Sequence, residues 1–185
     1  MPLSKTRHTP GCACGAIGGR SVDRRWLLRA VAAGALVAAA PGMALAASGD
    51  YEAMILACID PRLQQPVHAY AAKRGLTGRY SQFVIAGAAV GVVAPSFADW
   101  HKAFWDNLAV SMQLHRINRV IAINHRDCGA ARVAYGEARL ADAASETETH
   151  RQALAQFRKE VGERHPKLGV ETGLMALDGS IVMFS

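Results

Sequence analysis

Two thiols, one imidazole and one carboxylate stand out as groups that could share a metal ion. Cys58 and Asp60 lie two positions apart, and His125 and Cys128 lie three apart. Thiolate sulfur and imidazole nitrogen are the preferred ligands of zinc, and carboxylate oxygen is also accepted. The spacing of His125 and Cys128 lets both reach one ion from a tight turn. Zinc has no redox chemistry of its own, so it can hold both thiols as thiolates and keep them from pairing. The same cysteines admit two other readings, a Cys58–Cys128 disulfide or inert buried thiols. Arg62 adds a cation that stays charged at any working pH and can grip a carboxylate such as Asp60 with two parallel hydrogen bonds.

These groups must be positioned by the elements around them, and the chain alternates strand and helix patterns. Residues 54–57 are a short apolar run ending at Cys58, as expected of a buried parallel strand. Residues 66–73 suit a short helix stopped by Gly75. A second apolar run covers 82–86, followed by a glycine-punctuated turn at 87–91. A helix follows, with Ser96 as its cap and Asp99 completing a capping-box-like pair. Phe97, Trp100, Phe104, Leu108 and Met112 draw one apolar stripe along it, read as packing. Residues 119–124 form a third strand pattern ending at His125, and after Gly129 an Ala-rich segment runs to Tyr135, stopped by Gly136. A polar loop over 137–149 leads to a helix carrying Leu154, Phe157 and Val161. The tail reads as strand, Asp178-Gly179 turn, strand. This order predicts one α/β domain over residues 47–185, with a mostly parallel central sheet flanked by helices. In such sheets, sites gather beyond the carboxyl ends of strands, where Cys58 and His125 both fall.

Residues 1–46 read differently. Arg24-Arg25 precede Trp26-Leu27-Leu28, an uncharged run fills 30–40, Pro41-Gly42 breaks it, and Ala44-Leu45-Ala46 supplies a small-x-small cleavage pattern. That order describes a secretory leader, and the twin arginine points to the twin-arginine export route. A retained membrane anchor would need about 20 apolar residues, and this stretch is poor in Leu, Ile and Phe, so no stable anchor is expected. The whole chain carries 21 Lys+Arg and 15 Asp+Glu, but six of the basic and one of the acidic residues fall in the leader. The remainder is close to neutral and offers no nucleic-acid footprint. Cys12 and Cys14 would leave with the leader, and the mature protein is expected in the periplasm or otherwise exported.

The segment Cys58-Ile59-Asp60-Pro61-Arg62 resembles the C-x-D-x-R signature of β-class carbonic anhydrases, and His125-Arg126-Asp127-Cys128-Gly129 resembles their H-x-x-C-G. Both motifs occur in the family's order, each after a strand, and the similarity covers roughly residues 54–184. The resemblance implies a zinc ion (Zn2+) held by Cys58, His125 and Cys128, with water as fourth ligand in the active form. It makes Asp60 and Arg62 a catalytic dyad: Arg62 draws the Asp60 carboxylate off the metal in one state, and Asp60 ligates zinc in the other. It further implies reversible hydration of carbon dioxide to bicarbonate by a zinc-bound hydroxide, in a homodimer or higher homo-oligomer. The chain departs from the family pattern in having Ala86-Gly87-Ala88-Ala89 where many members carry Arg-Asn-Ala-Gly. A more apolar pocket would favour hydrolysis of carbonyl sulfide or carbon disulfide on the same scaffold. The alternative from another class is a non-catalytic exported zinc or thiol protein. Of the remaining histidines only His101 is a candidate proton shuttle, and Glu146-Thr147-Glu148 reads as a solvated helix start.

Overall fold

The computed structural model describes residues 50–185. The expected leader, with its twin arginines, Cys12 and Cys14, lies outside the described residues.

Five strands form one sheet in the order β2-β1-β3-β4-β5. They are β1 (Ala53–Ala57), β2 (Tyr80–Val84), β3 (Arg119–His125), β4 (Gly169–Met175) and β5 (Ile181–Phe184). The first four are parallel, and β5 returns antiparallel on β4 through the Asp178-Gly179 turn. The expected mostly parallel α/β sheet is therefore present. All five residues of β1 are buried, because helices cover both faces of the sheet.

The alternation of side chains along a strand sends β1 into two separate cores. Met54 and Leu56 face one side, where they meet α3 (Ala98–His115) through Phe104 and Leu108 and α5 (Ala143–Arg164) through Leu154, Phe157 and Val161. Ala53, Ile55 and Ala57 face the other, where α1 (Gln64–Lys73) supplies Val67 and Ala71. Phe104 and Phe157 are fully buried with ring centroids 5.5 Å apart. Truncating either to Ala would cost about 3–5 kcal/mol.

Several boundaries differ from those the pattern predicts, each for a local reason. The second strand begins at Tyr80 and ends at Val84, so residues 85–88 become the connection rather than strand. The 87–91 segment is not a turn throughout, because α2 (Ala89–Val93) starts inside it and is buried. Gly91 belongs to that helix, and a Cβ there would collide with the Ala86 carbonyl oxygen. Ser96 does not cap α3. Pro95, with its fixed φ, instead opens a 3-10 turn over Pro95–Phe97, and the residue preceding α3 is Phe97, which makes no side-chain cap. Trp100 leaves the buried stripe and stacks on Phe97 at the surface, 4.4 Å between centroids. The 137–149 segment is largely helical: a 3-10 turn covers Glu137–Leu140, and Asp142 caps α5 by accepting from the amides of Ala144 and Ser145. The short helix α4 (Gly129–Tyr135) follows β3 directly.

Candidate metal centre

Because β1 and β3 are parallel neighbours with Ala57 opposite Ile123, both end at the same edge of the sheet. Cys58 is the first residue beyond β1, His125 the last of β3, and Cys128 stands just before the first turn of α4. Their ligand atoms all lie within 4.8 Å of one another, and all three residues are buried. Both cysteines are free.

His125 Nδ1 lies 2.8 Å from the carbonyl of Arg126. A carbonyl only accepts, so Nδ1 carries the proton and Nε2 is left with a free lone pair. That Nε2 is buried and has no hydrogen-bond partner. An orphaned imidazole nitrogen beside two thiols is costly without a partner and fits a soft-to-borderline divalent cation. The hydrogen bond to Arg126 is the kind of outer contact that fixes the tautomer of a metal-binding histidine. The two thiols hold their protons unequally. The Cys128 thiol hydrogen-bonds to Cys58 and holds it far below the ordinary thiol range against the effect of burial. The same contact and burial push Cys128 up. Burial opposes a charge on His125, but its contact with the Cys58 sulfur leaves it above its usual value.

The loop between β2 and α2 supplies a further contact to the cluster. The amide of Gly87 donates to Cys58 Sγ at 3.2 Å. Gly87 has φ +82°, and a Cβ there would stand 3.2 Å from Ala130 Cβ, so the close approach to α4 depends on glycine. Ala88 also has a positive φ, 51°, a strained conformation for a residue with a Cβ. Next, Ala89 donates its amide to Asn124 Oδ1 at 3.0 Å, which leaves the Asn124 amide nitrogen to face His150 Nδ1 at 3.1 Å. His150 is fully buried, and desolvation holds its pKa down to about 4.

Asp60 falls outside the 4.8 Å cluster. Its carboxylate is taken by Arg62, which reaches it from Nε at 3.0 Å and from Nη2 at 2.6 Å. It also accepts the Arg62 amide at 2.9 Å, capping the 3-10 turn over Pro61–Leu63. The Arg62 side chain holds the Asp60 pKa down to about 2. Thus Cys58, His125 and Cys128 converge, while Asp60 and Arg62 form a pair beside them. His101 takes no part, since its Nε2 bonds to the Ala94 carbonyl.

Two acidic residues at this edge escaped the sequence reading. Glu146 is not a solvated residue: one oxygen accepts the Asp127 amide at 2.6 Å and the other pairs with Arg126 at 2.9 Å. Asp127 itself bonds to Arg62 and Arg132, 2.8 and 2.9 Å away. It adopts φ +55°, a conformation in which Asp and Asn are enriched among residues with side chains. A cleft of about 320 Å³ opens beside Cys58, with Ala57, Ile59, Leu63, Val67 and Val84 in its wall and Gln64, His68 and Gln82 adding polar groups.

Comparison with known proteins agrees with this geometry. A family model described as "Putative carbonic anhydrase" matches residues 49–168, a span that holds all five site residues. An uncharacterized protein of Rickettsia bellii (strain RML369-C) is 33% identical over 128 residues, covering 69% of this chain and 78% of its own. One from Rickettsia conorii (strain ATCC VR-613 / Malish 7) is 28% identical over 128 residues, 69% of each chain. Among solved structures, the β-carbonic anhydrase CafA of Aspergillus fumigatus superposes with a TM-score of 0.50 at 17% identity, over 76% of this chain and 78% of that one. At that identity the likeness shows the fold.

Proposed function

The chain belongs to the carbonic anhydrase family whose model matches residues 49–168, and from that premise we propose that it is a zinc enzyme interconverting carbon dioxide and bicarbonate. The observation that carries this reading is His125, whose Nε2 is buried and unpartnered, in a cluster with two thiols whose ligand atoms lie within 4.8 Å of one another. Cys58, His125 and Cys128 would hold the ion. When bound, zinc supplies Lewis acidity that lets water ionise near pH ~7 instead of ~16.

The chain's own residues set the conditions for that chemistry. The Gly87 amide stabilises Cys58 as an anionic donor. The Arg126 carbonyl holds the His125 ring in the tautomer that leaves Nε2 free. Arg62 keeps Asp60 ionised and engaged away from the three donors. Released from Arg62, Asp60 would compete with water for the remaining ligand position, so the pair acts as a gate. The cleft beside Cys58 receives the substrate. Its apolar wall suits a small, weakly hydrated gas, and Gln64 and Gln82 offer hydrogen bonds to bicarbonate. That wall also favours carbonyl sulfide or carbon disulfide hydrolysis as a second reading.

The protein works as a homo-oligomer on this proposal, because Ile59 and Val84 expose 59% and 45% of their surface beside the cleft. Light scattering after gel filtration tests that, and a monomer at micromolar concentration refutes it. Export by the twin-arginine route rests on Arg24-Arg25 and the apolar run after them. N-terminal sequencing of the secreted form should find a start near residue 47.

Metal analysis and stopped-flow hydration of the purified protein test the central claim. One zinc per chain and catalysed hydration are expected. One zinc per chain with no hydration at any pH overturns the enzyme and leaves a zinc-binding protein. Parallel assays with carbonyl sulfide and carbon disulfide separate the two substrate readings.

A further inference from the structure

We infer that Asp127 is a positioning residue that clamps Arg62 in the pose from which Arg62 grips Asp60, an inference that rests on the gate proposed above. The guanidinium of Arg62 is divided between two carboxylates. Its Nε and Nη2 edge faces Asp60, at 3.0 and 2.6 Å. Its Nη1 donates to Asp127 Oδ2 at 2.8 Å, and Nη2 also reaches the Asp127 carbonyl at 3.1 Å. Asp60 follows β1 and Asp127 follows β3, so Arg62 ties together the two loops that carry the candidate ligands.

Asp127 is itself fixed from three sides. Its amide donates to Glu146 Oε1, its second carboxylate oxygen accepts from Arg132 Nη2 at 2.9 Å, and its left-handed backbone turns carbonyl and side chain toward Arg62 together. Glu146 anchors this corner to α5 by pairing with Arg126 as well. The Arg62 and Asp127 side chains are 45% and 52% exposed, and ion pairs at that exposure contribute little to stability. What they do supply is direction. With two of its faces held by Asp127, the guanidinium has one orientation left for Asp60. Losing the clamp lets Arg62 wander, and Asp60 then spends more time free to compete for the metal.

Asp127→Asn tests this, since Asn tolerates the left-handed conformation and keeps the side-chain shape while removing the charge. The first readout is exchange of the Arg62 Nε–H proton by NMR in the full purified protein, with and without zinc. It should quicken roughly ten-fold in Asp127→Asn, within the range of coupling between contacting groups, and clearly less in Arg132→Gln, which leaves the Asp127 carboxylate in place. The second is kcat/KM for hydration in a double-mutant cycle. Asp127→Asn should lower it roughly ten-fold, as loss of an outer-shell partner does, but add nothing once Arg62 is Ala. Thermal unfolding should not move. Unchanged Arg62 exchange in Asp127→Asn overturns the inference, as does an equal loss of activity in the Arg62→Ala background or an equal effect of Arg132→Gln. If the protein hydrates nothing, the functional reading falls, and the exchange measurement still decides the clamp.

Discussion

The two ends of the parallel sheet are both crowded with charge, yet they are built on opposite terms. At the amino end, Glu52 binds Arg79 and Arg119 at 2.7 and 2.8 Å, while Glu171 binds Arg74 at 2.9 Å and approaches Arg119. Each carboxylate there serves two guanidiniums, although Arg119 Nε stays buried without a partner. At the carboxyl end, ion pairs of similar length stand beside a cluster of another kind: two thiols and an imidazole whose ligand atoms lie within 4.8 Å of one another. Density of charge therefore does not distinguish a site from a brace. The chemistry of the gathered atoms does, because an unpartnered nitrogen occurs at both ends, whereas two thiols and an imidazole converge at only one, and these are the donors zinc prefers.

The sharpest way to break this contrast is to remove a donor. Cys128→Ser should lower zinc affinity by more than ~100-fold, since even outer-shell losses cost ~10–100-fold, and dialysis against metal buffers will measure it. Retained stoichiometric zinc would refute the assignment. A pH series addresses the buried side of the carboxyl end. His150 has its pKa lowered from 6.5 to about 4 by desolvation, so the unfolded chain binds its proton first. Its contribution is fully present above pH 6.5 and is lost as pH falls toward 4, about 3 kcal/mol in all. Urea unfolding between those pH values should show the decline, and His150→Gln should flatten it.

Smaller effects sharpen the comparison. Arg62→Ala should reduce hydration at neutral pH roughly ten-fold while leaving zinc bound, and unchanged activity would remove the gate. At the amino end, Glu171→Gln should leave zinc content and hydration intact and cost about 1 kcal/mol or less in urea unfolding. A loss of metal there would mean that the two ends are not independent.

The candidate ligands were legible in the sequence because Cys58 and His125 each come at the end of an apolar run, and parallel strands bring their carboxyl ends together. Cys58, Asp60 and Arg62 lie within five residues, and His125 and Cys128 within four, so their local geometry is short-range. The supporting contacts were not legible. Asp127 meets Arg62 across 65 positions, Glu146 meets the Asp127 amide across 19, and Asn124 meets His150 across 26. No local pattern encodes such partners, and Glu146 read alone is an ordinary charge in a polar stretch. The same limit applies to α2, where glycine suggested a turn but the chain is helical, with Gly91 too close to the Ala86 carbonyl to admit a Cβ.

The strand order carries a consequence in time. β1 pairs with β3 although β2 comes between them in the chain, and Cys58 and His125 are 67 positions apart. Pairings of such separation form slowly, because the intervening chain must be closed first. Until β3 has docked on β1, neither half of the cluster holds more than two of its donors, and each thiol stands open to oxidants. On the proposed function, metal capture would thus be a late event in the life of this chain, and whatever shields Cys58 and Cys128 before then would determine how much of the protein acquires an ion.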